Sequence, residues 1–246
     1  MTLLEATGWC GEGRDLEPAM VPALVEGLLD ARVTDGQKVD FLRALSAKGE
    51  SDRELAAFAR ALLPRAVHPG VEGQVENEAL FDCCGTGGGG LNLVNLSTAM
   101  MPVLAACGVP VVKHGNRGVT KKSGSADVLE ALGSRIDFSA ERVPEALGEC
   151  GMVFLMAPQY HPAFRHVAAA RKQLAGEGKR SIFNLLGPLL NPSRPATQLL
   201  GVFQRGHLEL FQRALRELGR ERFLVVCGLD GDGSSVGEVS VTGKIR

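Results

Sequence analysis

No two cysteines of this chain stand in C-x-x-C spacing, and the adjacent pair Cys83 and Cys84 would make a strained bridge. Most of the six cysteines lie within apolar stretches, so they read as reduced, buried thiols rather than zinc ligands or a disulfide framework. Net charge is also lacking. Lys and Arg number 27 and Asp and Glu 28, leaving −1, which argues against a protein whose main task is coating nucleic acid but leaves room for a local basic pocket. The longest apolar run, residues 99–112, is interrupted by Pro102, Gly108 and Pro110 and is too short to cross a membrane. The N-terminal stretch carries Glu5 and Glu12 and puts no basic segment ahead of an apolar run, unlike a secretory leader. A cytoplasmic protein without a membrane partner is expected, and neither internal repeats nor low-complexity tracts are present.

What the chain does have is apolar mass and glycine. With 246 residues, 45% of them hydrophobic, it can bury one sizeable core or a core with a satellite domain. Its 31 glycines are nearly twice the usual share, and many fall in one cluster. The first 64 residues read as helices. Thr34-x-x-Gln37 and Ser51-x-x-Glu54 are capping boxes, each followed by apolar residues three and four apart: Val39, Leu42 and Leu45, then Leu55, Phe58 and Leu62. Gly49 and Pro64 stop these runs, and residues 65–77 read as a linker. Beyond it, short apolar runs at 80–84, 109–112, 152–156, 199–203 and 223–227 alternate with helical segments at 97–107, 126–132, 162–174 and 207–218. That alternation predicts an α/β fold, a mostly parallel sheet flanked by helices, with a smaller all-helical N-terminal domain. The helical domain is expected over residues 1–74, joined by a helix around 160–176, and the α/β domain over 75–246. The chain stops at Arg246 soon after a strand-like run, so the last part of the α/β domain is expected to be missing and its sheet edge left open.

The strongest chemical signal follows the first strand. Asp82 leads into Gly85-Thr86-Gly87-Gly88-Gly89-Gly90, and Asn95, Ser97 and Thr98 open a helix. Glycines admit close approach of the backbone to a ligand, exposed N–H groups at a helix start favour an anion, and Ser97 and Thr98 add hydroxyls, so this turn reads as a phosphate site. Gly85, Gly87 and Gly90 satisfy G-x-G-x-x-G, but the following strand ends in Lys113 rather than the acidic residue a dinucleotide needs. The P-loop pattern fails because Leu91 and Asn92 follow Gly90.

Next come Lys113-His114-Gly115-Asn116-Arg117 and Lys121-Lys122-Ser123-Gly124-Ser125-Ala126-Asp127. Five basic side chains, counting His114, follow a strand end, and Ser123 to Ser125 open a second helix. The pattern suits either a ligand with phosphates at both ends or a solvated basic loop. A third segment holds Tyr160-His161-Pro162, Arg171 and Phe183-Asn184-Leu185-Leu186-Gly187-Pro188. By default Arg171 is an exposed helix charge and His161 a capping or core histidine. No Ser–His–Asp order, zinc spacing or nucleophilic cysteine context is present, so no covalent catalytic nucleophile is expected.

Taken together, in this order and spacing and over nearly the whole chain, these motifs resemble the anthranilate phosphoribosyltransferase family, within the glycosyltransferase family 3 and class II nucleoside phosphorylase-like superfamily. The resemblance implies transfer of the phosphoribosyl group of phosphoribosyl pyrophosphate to the amine of anthranilate, a step of tryptophan biosynthesis, with magnesium as cofactor and a homodimer formed through the helical domain. It further implies that Gly85, Thr86, Gly87, Gly88, Asn95, Ser97, Thr98, Lys113 and Ser125 bind phosphoribosyl pyrophosphate. Gly85, His114, Asn116, His161, Arg171, Gly187 and Pro188 would line the anthranilate path, with Arg171 near its carboxylate, and Ser97 and Glu238 would serve the metal. Two positions depart from the family pattern: Gly89 where it has Asp, and Gly237-Glu238 where it has Asp-Glu. Magnesium prefers carboxylate and phosphate oxygens, so both losses weaken its site unless Asp230 or Asp232 compensates. Two rivals remain on the same scaffold. One is a nucleic-acid-binding relative lacking transferase activity, which the charge balance disfavours; the other is a pyrimidine-nucleoside phosphorylase-like enzyme, which His114-Gly115-Asn116-Arg117 disfavours.

Overall fold

The computed structural model describes residues 1–74, 79–87, 94–118 and 123–240. Four helices come first: α1 (Leu3–Gly11), α2 (Val21–Leu29), α3 (Asp35–Lys48) and α4 (Asp52–Leu62). Both expected capping boxes form, Thr34 with Gln37 and Ser51 with Glu54, and a third joins Thr2 and Glu5. Each satisfies helix-end N–H groups that have no intrahelical acceptor, a contribution of about 1 kcal/mol per cap.

The α/β part runs β1 (Phe81–Gly85), α5 (Leu96–Ala106), β2 (Val111–Gly115), α6 (Ser125–Ala131), α7 (Val143–Cys150), β3 (Met152–Met156), α8 (Ala157–Tyr160), α9 (Ala168–Gly176), α10 (Phe183–Leu186), β4 (Thr197–Gly201), α11 (His207–Glu217) and β5 (Arg222–Val226). A short antiparallel pair, β6 (Gly228–Leu229) and β7 (Ser235–Val236), follows. The five long strands make one parallel sheet in the order β3-β2-β1-β4-β5. The chain first walks outward from β1 to β3, then crosses back over the sheet and places β4 on the other side of β1. Such a reversal opens a crevice at the carboxyl ends of the strands, where ligands of open α/β sheets bind.

Period-2 burial explains how the outer half is covered. Val112, Val153 and Leu155 point to one face and meet Val143, Leu147 and Tyr160. Val111 and Phe154 point to the other and meet Cys83, Met101, Ala126 and Leu129. The β4–β5 half is different. Its core is continuous with the helical bundle: Leu55, Phe58 and Leu62 of α4 belong to the same cluster as Leu186, Leu200, Phe211 and Leu215. Helix α3 packs on α9, and α4 on α11.

Two expectations need correction. Residues 162–174 are not one helix: a 3-10 turn over Pro162–Val167 precedes α9, and Val167 (φ −114°, ψ 2°) leaves helical geometry between them. There the His166 carbonyl accepts a 2.7 Å bond from the buried Lys38 ammonium of α3, a long-range contact the apolar period does not encode. The thiols also divide. Cys10, Cys83 and Cys227 are buried and Cys84 half-buried, but Cys107 and Cys150 end helices and are exposed; all six are unpaired. Among the described residues no helix is long and apolar enough to cross a membrane.

Glu54 anchors the bundle. It is fully buried, and its carboxylate accepts from the Leu16 and Ser51 amides and the Lys48 ammonium, each at 2.8 Å. Lys48 keeps Asp15 at 2.6 Å, but Glu54→Ala leaves the Leu16 and Ser51 amides without their acceptor and a cavity in the bundle, so it is expected to cost about 3 kcal/mol in urea unfolding. A loss under about 1 kcal/mol would refute this role.

Candidate active site

At the end of β1, Gly85 and Thr86 reach the rim of the crevice, and Gly87 takes φ 66°, a left-handed conformation natural to glycine. Gly88 and Gly89 lie outside the described residues. Behind the turn, Lys113 is buried. Its ammonium donates to the Cys83 carbonyl and, at 3.1 Å, to the Ser97 hydroxyl, tying β2 to β1 and the start of α5. Asn95 donates to the Ser123 hydroxyl at 3.1 Å, joining the first loop to the second. The Thr98 hydroxyl is buried without a partner among the described residues.

Ser125 is the first residue of α6, and the loop before it is held from both sides. Asp127 accepts from the amides of Gly118 and Gly124 at 2.8 and 2.7 Å. A Cβ on Gly124 would lie 2.4 Å from the Gly118 nitrogen and 2.5 Å from the Arg117 carbonyl carbon, so only glycine fits there. Of the five basic side chains, His114 lines the crevice described below. Lys113 points inward, Arg117 pairs with Asp127 and Glu130, and Lys121 and Lys122 lie outside the described residues.

The crevice itself is a cavity of about 510 Å³, and it gathers Gly85, His114, Asn116, His161, Arg171, Gly187 and Pro188. All seven expected acceptor-path residues therefore line one space, although they span more than a hundred positions of sequence. His114 stands edge-on to His161 with ring centroids 5.0 Å apart. His161 lies nearly parallel to Phe164, also at 5.0 Å, and its Nε2 meets the Leu190 carbonyl at 2.9 Å. Phe164 sets its edge to Phe183, and the Arg171 guanidinium sits 5.2 Å from the Phe183 ring centre. Sequence reasoning missed Phe164 and Phe183 as wall residues. Both sit where an apolar period also predicts core, and nothing local distinguishes the two roles.

Burial sets the charges. It pushes His114 down to about 3, with the neighbouring His161 adding to the effect, and His161 to about 4. Both rings are neutral near pH 7. Arg171 is half-buried rather than an exposed helix charge, and no carboxylate among the described residues pairs with it. Burial lowers its pKa from the ordinary arginine value, but a guanidinium keeps its charge. The cavity thus offers the Arg171 guanidinium, with a second arginine, Arg165, also on its wall, aromatic edges and two neutral imidazoles, a complement to a planar aromatic carboxylate. The one thiol on its wall, Cys84, is pushed well above the ordinary cysteine value by burial, so it stays protonated.

A second cavity of about 220 Å³ lies behind the turn and brings Ser97 and Glu238 together. No group of three metal-ligating side chains exists among the described residues. One carboxylate and one hydroxyl still suit magnesium, which completes its shell with waters and substrate phosphates. Asp230 and Asp232 do not line this cavity; Asp230 instead accepts from the Asp232 and Ser234 amides within the β6–β7 turn. Gly237 packs against the Phe203 ring, with the ring 3.1 Å from where a Cβ would stand.

A helical bundle packed on a parallel sheet, with a glycine turn at the strand ends, is the architecture of the glycosyl transferase family: residues 8–66 match its helical bundle domain and residues 77–244 its a/b domain. Among curated relatives, the chain is 45% identical to the anthranilate phosphoribosyltransferase of Syntrophobacter fumaroxidans over 94% of its own length and 66% of the relative's, just under two thirds. Its structure is similar to that of the enzyme of this name from Thermus thermophilus (TM-score 0.82, 40% identity, 98% of this chain and 69% of the other). It is also similar to the Saccharomyces cerevisiae anthranilate phosphoribosyltransferase in complex with PRPP and Mg (TM-score 0.83, 27% identity, 97% and 68%). The chain belongs to the anthranilate phosphoribosyltransferase family.

The neutral histidines generate a pH prediction. Their folded pKa values lie below the ordinary 6.5, so between those values the unfolded chain binds more protons. Their contribution is complete above about pH 6.5 and is lost as pH falls toward 4, by about 2 kcal/mol per histidine at pH 5. His161→Gln is expected to shrink the drop in urea midpoint between pH 7 and pH 5. An unchanged drop would show that His161 is not held neutral.

Proposed function

We propose that this chain transfers the phosphoribosyl group of phosphoribosyl pyrophosphate (PRPP) to the amine of anthranilate and releases pyrophosphate, as a cytoplasmic enzyme of tryptophan biosynthesis. The observation that carries the reading is the convergence of Gly85, His114, Asn116, His161, Arg171, Gly187 and Pro188 on one cavity whose rim is the glycine turn.

Arg171 holds the carboxylate of the acceptor. In apolar surroundings a charge-assisted contact of this kind is stronger than in water, and the guanidinium has no carboxylate partner to give up among the described residues. Phe164 and Phe183 flank the ring. The neutral His114 and His161 leave the amine lone pair free of a competing cation, so the acceptor is presented as a nucleophile while positive charge grows on the sugar. Positioning supplies much of the rate, since it turns a bimolecular step into an effectively unimolecular one. Gly85, Thr86, Gly87 and Gly88, with Asn95, Ser97, Thr98 and Ser125, hold the pyrophosphate side, and Lys113 braces this region from behind. Ser97 and Glu238 would hold magnesium through the bound phosphates, where the ion offsets negative charge growing on the leaving group.

We further propose a helical domain over 1–74, an α/β domain over 75–246, and a homodimer formed through the helical domain, on whose surface Leu4 is 71% exposed. The test of function is consumption of anthranilate fluorescence with PRPP, with and without magnesium. Consumption that needs both substrates and the metal is expected; a folded chain that binds neither substrate would overturn the reading. Arg171→Ala is expected to raise the KM for anthranilate by at least tenfold, leaving the KM for PRPP within twofold.

A further inference from the structure

Pro188 forms part of the cavity wall, yet its segment has no strand ladder to hold it. Gly187–Leu189 is a single 3-10 turn, and Pro188 has no N–H to donate. Its carbonyl is held by a side chain that does not line the cavity: the Gln198 amide donates to it at 2.7 Å. Gln198 is 4% exposed and lies on β4 directly opposite Asp82 of β1. The same amide nitrogen stands 3.3 Å from the Asp82 Oδ2 and 3.3 Å from the Cys84 sulfur. Cys84 is itself on the cavity wall, two residues along β1 and on the same face as Asp82.

Both oxygen partners of this nitrogen are acceptors. Asp82 is fully buried, and Lys113, the nearest ammonium on its flank, is committed to the Cys83 carbonyl and the Ser97 hydroxyl. A carboxylate oxygen on one side and a carbonyl oxygen on the other demand a group with two N–H bonds. At this length only the glutamine amide supplies them; glutamate presents acceptors to acceptors, and methionine presents nothing.

We propose that Gln198, oriented by Asp82, is a positioning residue that fixes the Gly187–Pro188 wall against the Gly85 turn and so sets the width of the acceptor end of the cavity. The assignment rests on the function proposed above and adds to it a determinant of acceptor binding outside the cavity lining. The pyrophosphate side is built by the glycine turn, α5 and α6, none of which Pro188 supports, so the effect falls on one substrate.

The test is steady-state kinetics on the full chain carrying Gln198→Met, with Asp82→Asn as a second, shape-conserving variant for the case in which the first does not fold. Gln198→Met is expected to raise the KM for anthranilate about tenfold, with kcat and the KM for PRPP within twofold. Asp82→Asn, which frees the amide to rotate, is expected to give a smaller rise in the same constant, about threefold. Constants equal to wild type in both variants would overturn the assignment. So would parallel loss in kcat and both KM values alongside a lower Tm, which marks a purely structural role. An unmutated chain that neither binds nor consumes anthranilate would instead overturn the function on which the assignment rests.

Discussion

The contact on which the cavity depends is the burial of the helical bundle against the second half of the sheet. Helices α2, α3 and α4 do not close a core among themselves. Their apolar faces are completed by Val167, Ala170 and Leu174 of the crossover and by Phe211 and Leu215 of α11. Burying side chains of this size is worth about 1.5–3 kcal/mol each, so the crossover cannot leave the bundle without large loss. The same contact fixes the opposite side of the crossover over the strand ends. His161 and Arg171 face Gly85 and His114 because Val167, Ala170 and Leu174 are committed to the bundle.

Desolvation then makes the space selective. The treatment that removes charge from two imidazoles leaves it on the guanidinium, because histidine titrates near neutrality and arginine far above it. Arg171, with no carboxylate partner among the described residues, therefore keeps its charge beside Arg165 in a cavity walled by Phe164, Phe183 and two neutral imidazoles. Carboxylates that would neutralise Arg171 are kept elsewhere: Asp127 and Glu130 serve Arg117, and Asp82 is turned under the floor toward Gln198.

The wall is held by side chains rather than by ladders. Leu190, Pro188 and Val112 each offer a carbonyl, taken by His161, Gln198 and Asn191. This arrangement lets a short turn stand at the edge of a cavity without strand partners. It also explains two buried polar residues in an otherwise apolar stretch: Gln198 satisfies a carbonyl that the turn leaves without a backbone partner, and Asn191 ties the segment after the turn to β2.

Much of this was legible before any coordinates. The capping boxes at Thr34 and Ser51, the alternation of apolar runs and the glycine turn after β1 are local patterns, set by helix-end hydrogen bonding, by period, and by backbone freedom. Strand limits shifted by up to three residues, as with 109–112 against the strand at Val111–Gly115. Arg171, Phe164 and Gln198 were different. Alone, Arg171 reads as a surface charge and Phe164 as core, since each sits in a period that fits those roles, and Gln198 lies just before the apolar run at 199–203. Phe183 and Pro188, the partners of Arg171 and Gln198, are placed by tertiary packing, and Phe164 stacks on His161 three residues before it while setting its edge to Phe183. What the sequence determined by itself was therefore the elements and the glycine turn, whose causes act over a few residues. Which side chains share the cavity, and in what charge state, was decided by the tertiary structure, because burial and facing partners exist only once bundle and sheet are packed together.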